Sequence, residues 1–157
     1  MLLANAGRYR AQLQPGAPKK PRTGVVVVTC MDALFNVYTL LGLNEGDAHV
    51  LRNAGGVVTD DVIRSLAISQ RLFEATDVML IMHAACGLRD VTDEHFTAPV
   101  QPDVGVRPTW PAANFRDVTA EARRGVARLR SAPVLRHTNG TRGFCFDETT
   151  GELHELC

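Results

Sequence analysis

The chain has no excess charge of either sign, with 17 lysines and arginines against 17 aspartates and glutamates in 157 residues. Binding a polyanion or an anionic lipid surface calls for a basic excess, so neither nucleic acid nor a membrane is an expected partner. Near-neutrality also offers little repulsion between copies and permits self-association. Long apolar runs are missing too. Nothing approaches the roughly 18 residues of a membrane span, and "MLLANAGRYR" reaches charge at Arg8, leaving an apolar start too short for a secretory signal. The expectation is a soluble cytoplasmic protein. Cysteine is scarce. Cys30, Cys86, Cys145 and Cys157 are too few and too scattered for a disulfide scaffold, which directs attention to metal binding or catalysis. No internal repeat or low-complexity tract occurs, and the length suits one domain with a real core.

What is present alternates between strand and helix. Residues 1–13 read as a short amphipathic helix, and "PGAPKKPRTG" as a linker that no helix crosses. Residues 1–23 are therefore an N-terminal arm and linker, and residues 24–157 a single domain. "VVVVT" at 25–29 is β-branched, short and uninterrupted, the pattern of a strand covered on both faces. Asp32 is expected to open a helix over 32–41, with Gly42 ending it. A strand over 48–52 breaks into a Gly55-Gly56 loop. Thr59 is expected to cap a helix whose buried side carries Val62, Leu66, Ile68 or Ser69, and Leu72. "DVMLIMH" at 77–83 is again a buried strand. Four prolines between 90 and 118 predict loop with at most short helices, residues 117–133 predict a helix weakened by Gly125, and "RGFCFDETTGELHELC" predicts a hairpin. The fold class is α/β, with a mainly parallel sheet flanked by helices.

In such sheets ligand sites collect beyond the carboxyl ends of the strands. Cys30 and His83 both fall there, and "HAACG" places Cys86 three residues after His83, so both can reach one ion from a tight turn. Two thiolates and an imidazole suit zinc, and three protein ligands leave the fourth position open, as catalytic sites do. On spacing alone a second reading stands beside this one: buried cysteines acting as small hydrophobes and a hydrogen-bonded core histidine.

An apolar strand ending in Cys-x-Asp, then "LRNAGG" about twenty residues on, a helix, and a strand ending in His-x-x-Cys-Gly resembles the β-class carbonic anhydrases. The similarity runs from about Val25 to Leu88 through "NVYTLLGLNEGDAHVLRNAGGVVTDDVIRSLAISQRL", and "RGFCFDETTGEL" is similar to the family's closing strands. The resemblance implies Zn2+ held by Cys30, His83 and Cys86, and a small-molecule substrate. It also implies a homodimer or higher homo-oligomer, with the N-terminal arm packed across the partner subunit.

The family motif is Cys-x-Asp-x-Arg, whose aspartate orients the attacking water and whose arginine keeps that aspartate off the metal. Here the arginine position is Leu34. Asp32, the catalytic carboxylate the resemblance implies, loses its bidentate partner and is expected to swing onto the zinc as a fourth ligand. Relatives commonly read His-Thr-Asp-Cys-Gly where this chain has Ala84 and Ala85. Leu34, Phe35, Gly55, Gly56, Ala84, Ala85, Leu88 and Arg89 are the expected substrate pocket, more apolar than in relatives. Arg89 either replaces the missing guanidinium or forms a solvated pair with Asp90. Arg52 and Asn53 are expected to fix the Gly55-Gly56 loop. His49, His95, His137 and His154 have no ligand spacing, and Cys145 packs within a strand.

Three functions follow. The first is a zinc enzyme of this type, diverged from plain CO2 hydration, in which zinc activates water or polarises a carbonyl. The second is a carbonate dehydratase that tolerates Leu34. The third is a catalytically silent homologue whose zinc only holds the loops together.

Overall fold

A computed structural model describes residues 1–10, 16 and 18–157. Five strands form one sheet: β1 (Val25–Cys30), β2 (Ala48–Asn53), β3 (Asp77–His83), β4 (Thr141–Phe146) and β5 (Leu153–Glu155), in the order β2-β1-β3-β4-β5. The first four are parallel and β5 closes the hairpin antiparallel to β4. The register pairs Cys30 with Asn53 and His83 with Phe146, so these residues end their strands at one rim of the sheet.

Both faces of β1 are covered, which explains its unbroken valines. Val26 and Val28 pack with Val78 and Leu80 against Val62 and Leu66 of α3 (Asp60–Leu72) and Val126 and Leu129 of α5 (Val118–Arg130). Val27 and Ile81 face the other way, onto Phe35 and onto Val37 of α2 (Val37–Leu41). Burying a valine on this scale contributes about 1.5–3 kcal/mol, so the central strands anchor the domain. Gly125 does more than weaken α5. A Cβ there would stand 2.6 Å from Leu80 Cδ2 and 3.1 Å from Val58 Cγ2, so the glycine lets the helix lie close on the sheet.

The helix expected over 32–41 covers only Val37–Leu41. Asn36 is its cap, accepting from the Tyr38 and Thr39 amides, while Asp32 Oδ1 accepts the Leu34 amide in a turn of its own. Gly42 ends the helix in the left-handed conformation. Thr59 caps α3 through the Val62 amide as expected, but Leu72 is 71% exposed. Ser69 and Gln70 take its place in the interior. The Gln70 amide donates to the His137 carbonyl and accepts the Arg136 amide, tying α3 to the chain beyond α5.

The proline-rich segment also departs from expectation. It contains α4 (Asp93–Val104), a 12-residue helix with Pro99 and Pro102 inside and Thr92 as cap. None of its residues is buried, so the backbone groups the prolines leave unpaired can turn to solvent. At the other end of the chain, α1 (Leu2–Tyr9) realises the described part of the helix expected over 1–13 and likewise buries no residue; residues 11–13 lie outside the described residues. Among the described residues no helix is long and apolar enough to cross a membrane.

Candidate metal centre

Cys30 ends β1, His83 ends β3, and Cys86 sits in the turn that follows. One ligand atom from each lies within 4.8 Å of the other two, and all three residues are buried. The two sulfurs are 3.8 Å apart. His83 is fully buried, and its Nε2 has no hydrogen-bond partner. A buried ring nitrogen normally finds a partner; this one has two sulfurs for neighbours, and a soft divalent cation such as Zn2+ would satisfy all three donors together. The residues present therefore fit the group that the resemblance implies.

The electrostatics are those of a site that wants positive charge. The Cys86 thiol beside it, the His83 ring and the Asp32 and Gly55 backbone amides favour a Cys30 thiolate and hold its pKa well below the ordinary thiol value, against burial. The same contact with Cys30, together with burial, pushes Cys86 up. Burial lowers the pKa of His83, but Cys30 and Glu148 outweigh it and the net shift is upward. A cation held between them would favour ionisation of both thiols.

Glu148 is the residue that sequence reasoning missed. It lies in the β4–β5 turn, touches His83 Nδ1 through Oε1, and accepts the Ala85 amide on both oxygens at 3.2 and 3.1 Å. A carboxylate only accepts hydrogen bonds, so this contact calls for a proton on Nδ1. No sequence signal marks it: only the pairing of β4 beside β3 brings a residue two beyond Phe146 to the same rim.

Arg52 differs from its expected role. Its Nε donates to the Cys30 carbonyl at 2.8 Å and a second nitrogen donates to the Asp32 carbonyl, so it holds the Cys-x-Asp backbone and not the glycine loop. Asn53 does hold that loop, through the Val57 carbonyl. Gly56 backs directly onto Cys30: a Cβ there would stand 2.8 Å from the Cys30 nitrogen, and its φ of 65° also favours glycine.

The expected pocket residues divide among several places. A cleft of about 450 Å³ opens on both thiols, with Met31, Asp32, Ala33, Gly55 and Leu88 among its walls. Ala84, Ala85 and Arg89 line a separate cleft beside Glu148. Arg89 is half exposed, 3.5 Å from Asp90, in the arrangement of a solvated pair. Phe35 is buried behind the site, its ring 5.4 Å from that of His83. Leu34 is 64% exposed and meets the site through its amide. Asp32 is outside the group of three close donors.

The carbonic anhydrase family model matches residues 25–102. Beta-carbonic anhydrase 1 of Mycobacterium tuberculosis is 43% identical over 154 residues, covering 98% of this chain and 94% of that protein. A carbon disulfide hydrolase of an Acidianus species is 36% identical over 101 residues, 64% of this chain and 48% of that one. Among solved structures, carbonic anhydrase from Streptococcus mutans superposes with a TM-score of 0.90 at 36% identity, covering 99% of this chain and 95% of that chain. On nearly full-length identity of this order, the chain belongs to the β-carbonic anhydrase family.

Proposed function

We propose that this chain is a zinc enzyme that adds water to a small linear electrophile, a heterocumulene such as carbon dioxide, carbonyl sulfide or carbon disulfide, and that it has diverged from plain CO2 hydration. The observation that carries the proposal is the unpartnered, buried His83 Nε2 beside two thiols whose residues line a mostly apolar cleft. Cys30, His83 and Cys86 would hold the ion; when bound, Zn2+ lowers the pKa of a water from 15.7 to about 7.

The chain's own residues do the rest. Met31, Ala33, Gly55 and Leu88 offer a linear apolar substrate a surface with little competition for its hydration. Asp32 is the one carboxylate in the cleft wall, so it is the group that orients a water or takes its proton. Its Oδ1 is held at 3.0 Å by the Leu34 amide, a single backbone donor in place of a bidentate guanidinium. That lighter tether also lets Asp32 turn toward the metal as a fourth ligand, which would slow turnover. Relatives named both as carbonic anhydrases and as carbon disulfide hydrolases support the breadth of this substrate class.

The test is CO2 hydration by stopped flow and hydrogen sulfide release from carbon disulfide and carbonyl sulfide, on zinc-loaded wild type and Leu34→Arg. The expected result is sulfide release by the wild type and CO2 hydration roughly 10²- to 10⁴-fold faster in Leu34→Arg. Fast wild-type CO2 hydration indifferent to the substitution would instead mean a carbonate dehydratase that tolerates Leu34. No turnover of any of them with zinc fully loaded would mean a silent, zinc-stabilised homologue.

A homodimer or higher homo-oligomer is part of the same proposal. Leu2 and Leu3 of α1 are 77% and 90% exposed, an apolar surface that the chain itself leaves uncovered.

A further inference from the structure

We infer that Glu148 is a positioning residue of the metal centre, holding both the His83 ring and the turn that carries Cys86. The inference rests on the reading that Cys30, His83 and Cys86 bind a metal. A carboxylate at neutral pH only accepts hydrogen bonds, and a neutral imidazole carries one N–H. The contact between Glu148 Oε1 and His83 Nδ1 therefore places the ring proton on Nδ1 and turns the Nε2 lone pair to the thiols. The same carboxylate takes the Ala85 amide on both oxygens, at 3.2 and 3.1 Å, one residue before Cys86.

Two ligands separated by three residues are thus oriented by one side chain from the far end of the sequence. Between the two ligands, Ala84 and Ala85 carry no polar side-chain atom, and Arg89 reaches this turn only through the Ala84 carbonyl. The turn holding Glu148 is itself fixed, because Asp147 Oδ1 accepts the Thr149 amide at 2.7 Å and the Thr150 amide at 3.2 Å. Glu148 is 17% exposed and His83 is not exposed at all, so water cannot readily take the carboxylate's place at Nδ1. Removing an outer partner of a metal-bound histidine typically costs 10- to 100-fold in metal affinity.

The experiment measures zinc affinity by competition with a chromogenic chelator, on full-length wild type, Glu148→Ala and Glu148→Gln. The imidazole N–H resonance of His83 is followed in each zinc-loaded protein. The expected result is about 10- to 100-fold weaker zinc binding in Glu148→Ala and loss of the slowly exchanging Nδ1–H signal. Glu148→Gln, which keeps a neutral acceptor, should retain that signal and fall between the two in affinity. Zinc affinity within about twofold of wild type in Glu148→Ala, with the His83 signal unchanged, overturns the inference. If Glu148→Ala does not fold, Glu148→Leu fills the space without an acceptor and decides by the same two measurements. A wild type that binds no zinc, with Cys30→Ser making no difference, removes the metal reading and this inference with it; that failure shows in the wild type, whereas failure of the Glu148 role alone shows only in the variants.

Discussion

His83 Nε2 and Glu121 Oε2 are both buried atoms without a hydrogen-bond partner, but their surroundings differ. Around Nε2, two thiols converge within 4.8 Å, a carboxylate holds the opposite edge of the ring, and Phe35 packs beside it. The ion-pair partner of Glu121, in the first turn of α5, is Arg124. Arg124 Nη1 comes within 2.9 Å without the alignment of a hydrogen bond, from a side chain 69% exposed. The first atom is unsatisfied in a place where several donors share one vertex, which is what a ligand position requires. The second is unsatisfied because an amphipathic helix carried an acid into a partly apolar groove. Convergence, and not burial alone, separates a site from a packing compromise.

The largest effect that can break this contrast comes from the converging donors. Cys30→Ser or His83→Ala should reduce bound zinc from about one per chain to less than about a tenth, measured by elemental analysis after dialysis. Glu121→Gln should leave it unchanged. Full zinc content in Cys30→Ser would mean that the three converging donors are not a metal site.

A smaller but still large effect is expected from the frame behind the thiolate. At Gly56 a methyl group would meet the Cys30 nitrogen at 2.8 Å and the Thr29 carbonyl carbon at 3.0 Å, on backbone with positive φ. Both neighbours are main chain in β1, an interior strand of the sheet, and cannot rotate away. Gly56→Ala should cost about 2–4 kcal/mol in urea unfolding and weaken zinc binding, because Cys30 must move. Gly7→Ala on α1 is the control: a Cβ there meets nothing within 4 Å.

Arg52 gives a third, intermediate effect. It donates to the carbonyls of Cys30 and Asp32 from an exposed position on β2. Arg52→Ala should cost about 1–3 kcal/mol and slow catalysis more than it weakens zinc, since Cys30 keeps its strand while the Asp32 segment loses its support. Equal losses in both would place Arg52 with the ligands.

How far the sequence disclosed all this depends on the range of the interactions. Cys30, His83 and Cys86 are legible because each is tied to a strand end, and a run such as "VVVVT" announces a doubly covered strand. The start of α2 is hard to place because Asp32 and Asn36 are both acceptable caps; Asp32 is occupied by the Leu34 amide, which no propensity reports. The α4 helix is hidden by Pro99 and Pro102, whose cost is moderated where no helix residue is buried. Leu72 looks like core on periodicity, but the interior there holds Gln70, which satisfies backbone around Arg136 and His137. Glu148 is invisible because its partners His83 and Ala85 lie 65 and 63 residues away, brought close only by the β3–β4 pairing.

The smallest effect tests the other side of the contrast. Burial raises the Glu121 pKa in the folded protein, and Arg124 offsets only part of that. A carboxyl whose folded pKa is raised contributes its stability fully below the unfolded value, near 4.3, and loses it as pH rises through the folded value. At neutral pH the ionised group is therefore a liability. Glu121→Gln should gain about 0.5–1 kcal/mol at pH 7 and close to nothing below about pH 4, read as the difference between variant and wild type so that all other titrations cancel. A difference that is flat with pH would mean that the effect is one of packing and not of charge. A loss at pH 7 would mean that Arg124 binds Glu121 strongly enough to make the ionised pair stabilising, and the second orphaned atom would then have a partner after all.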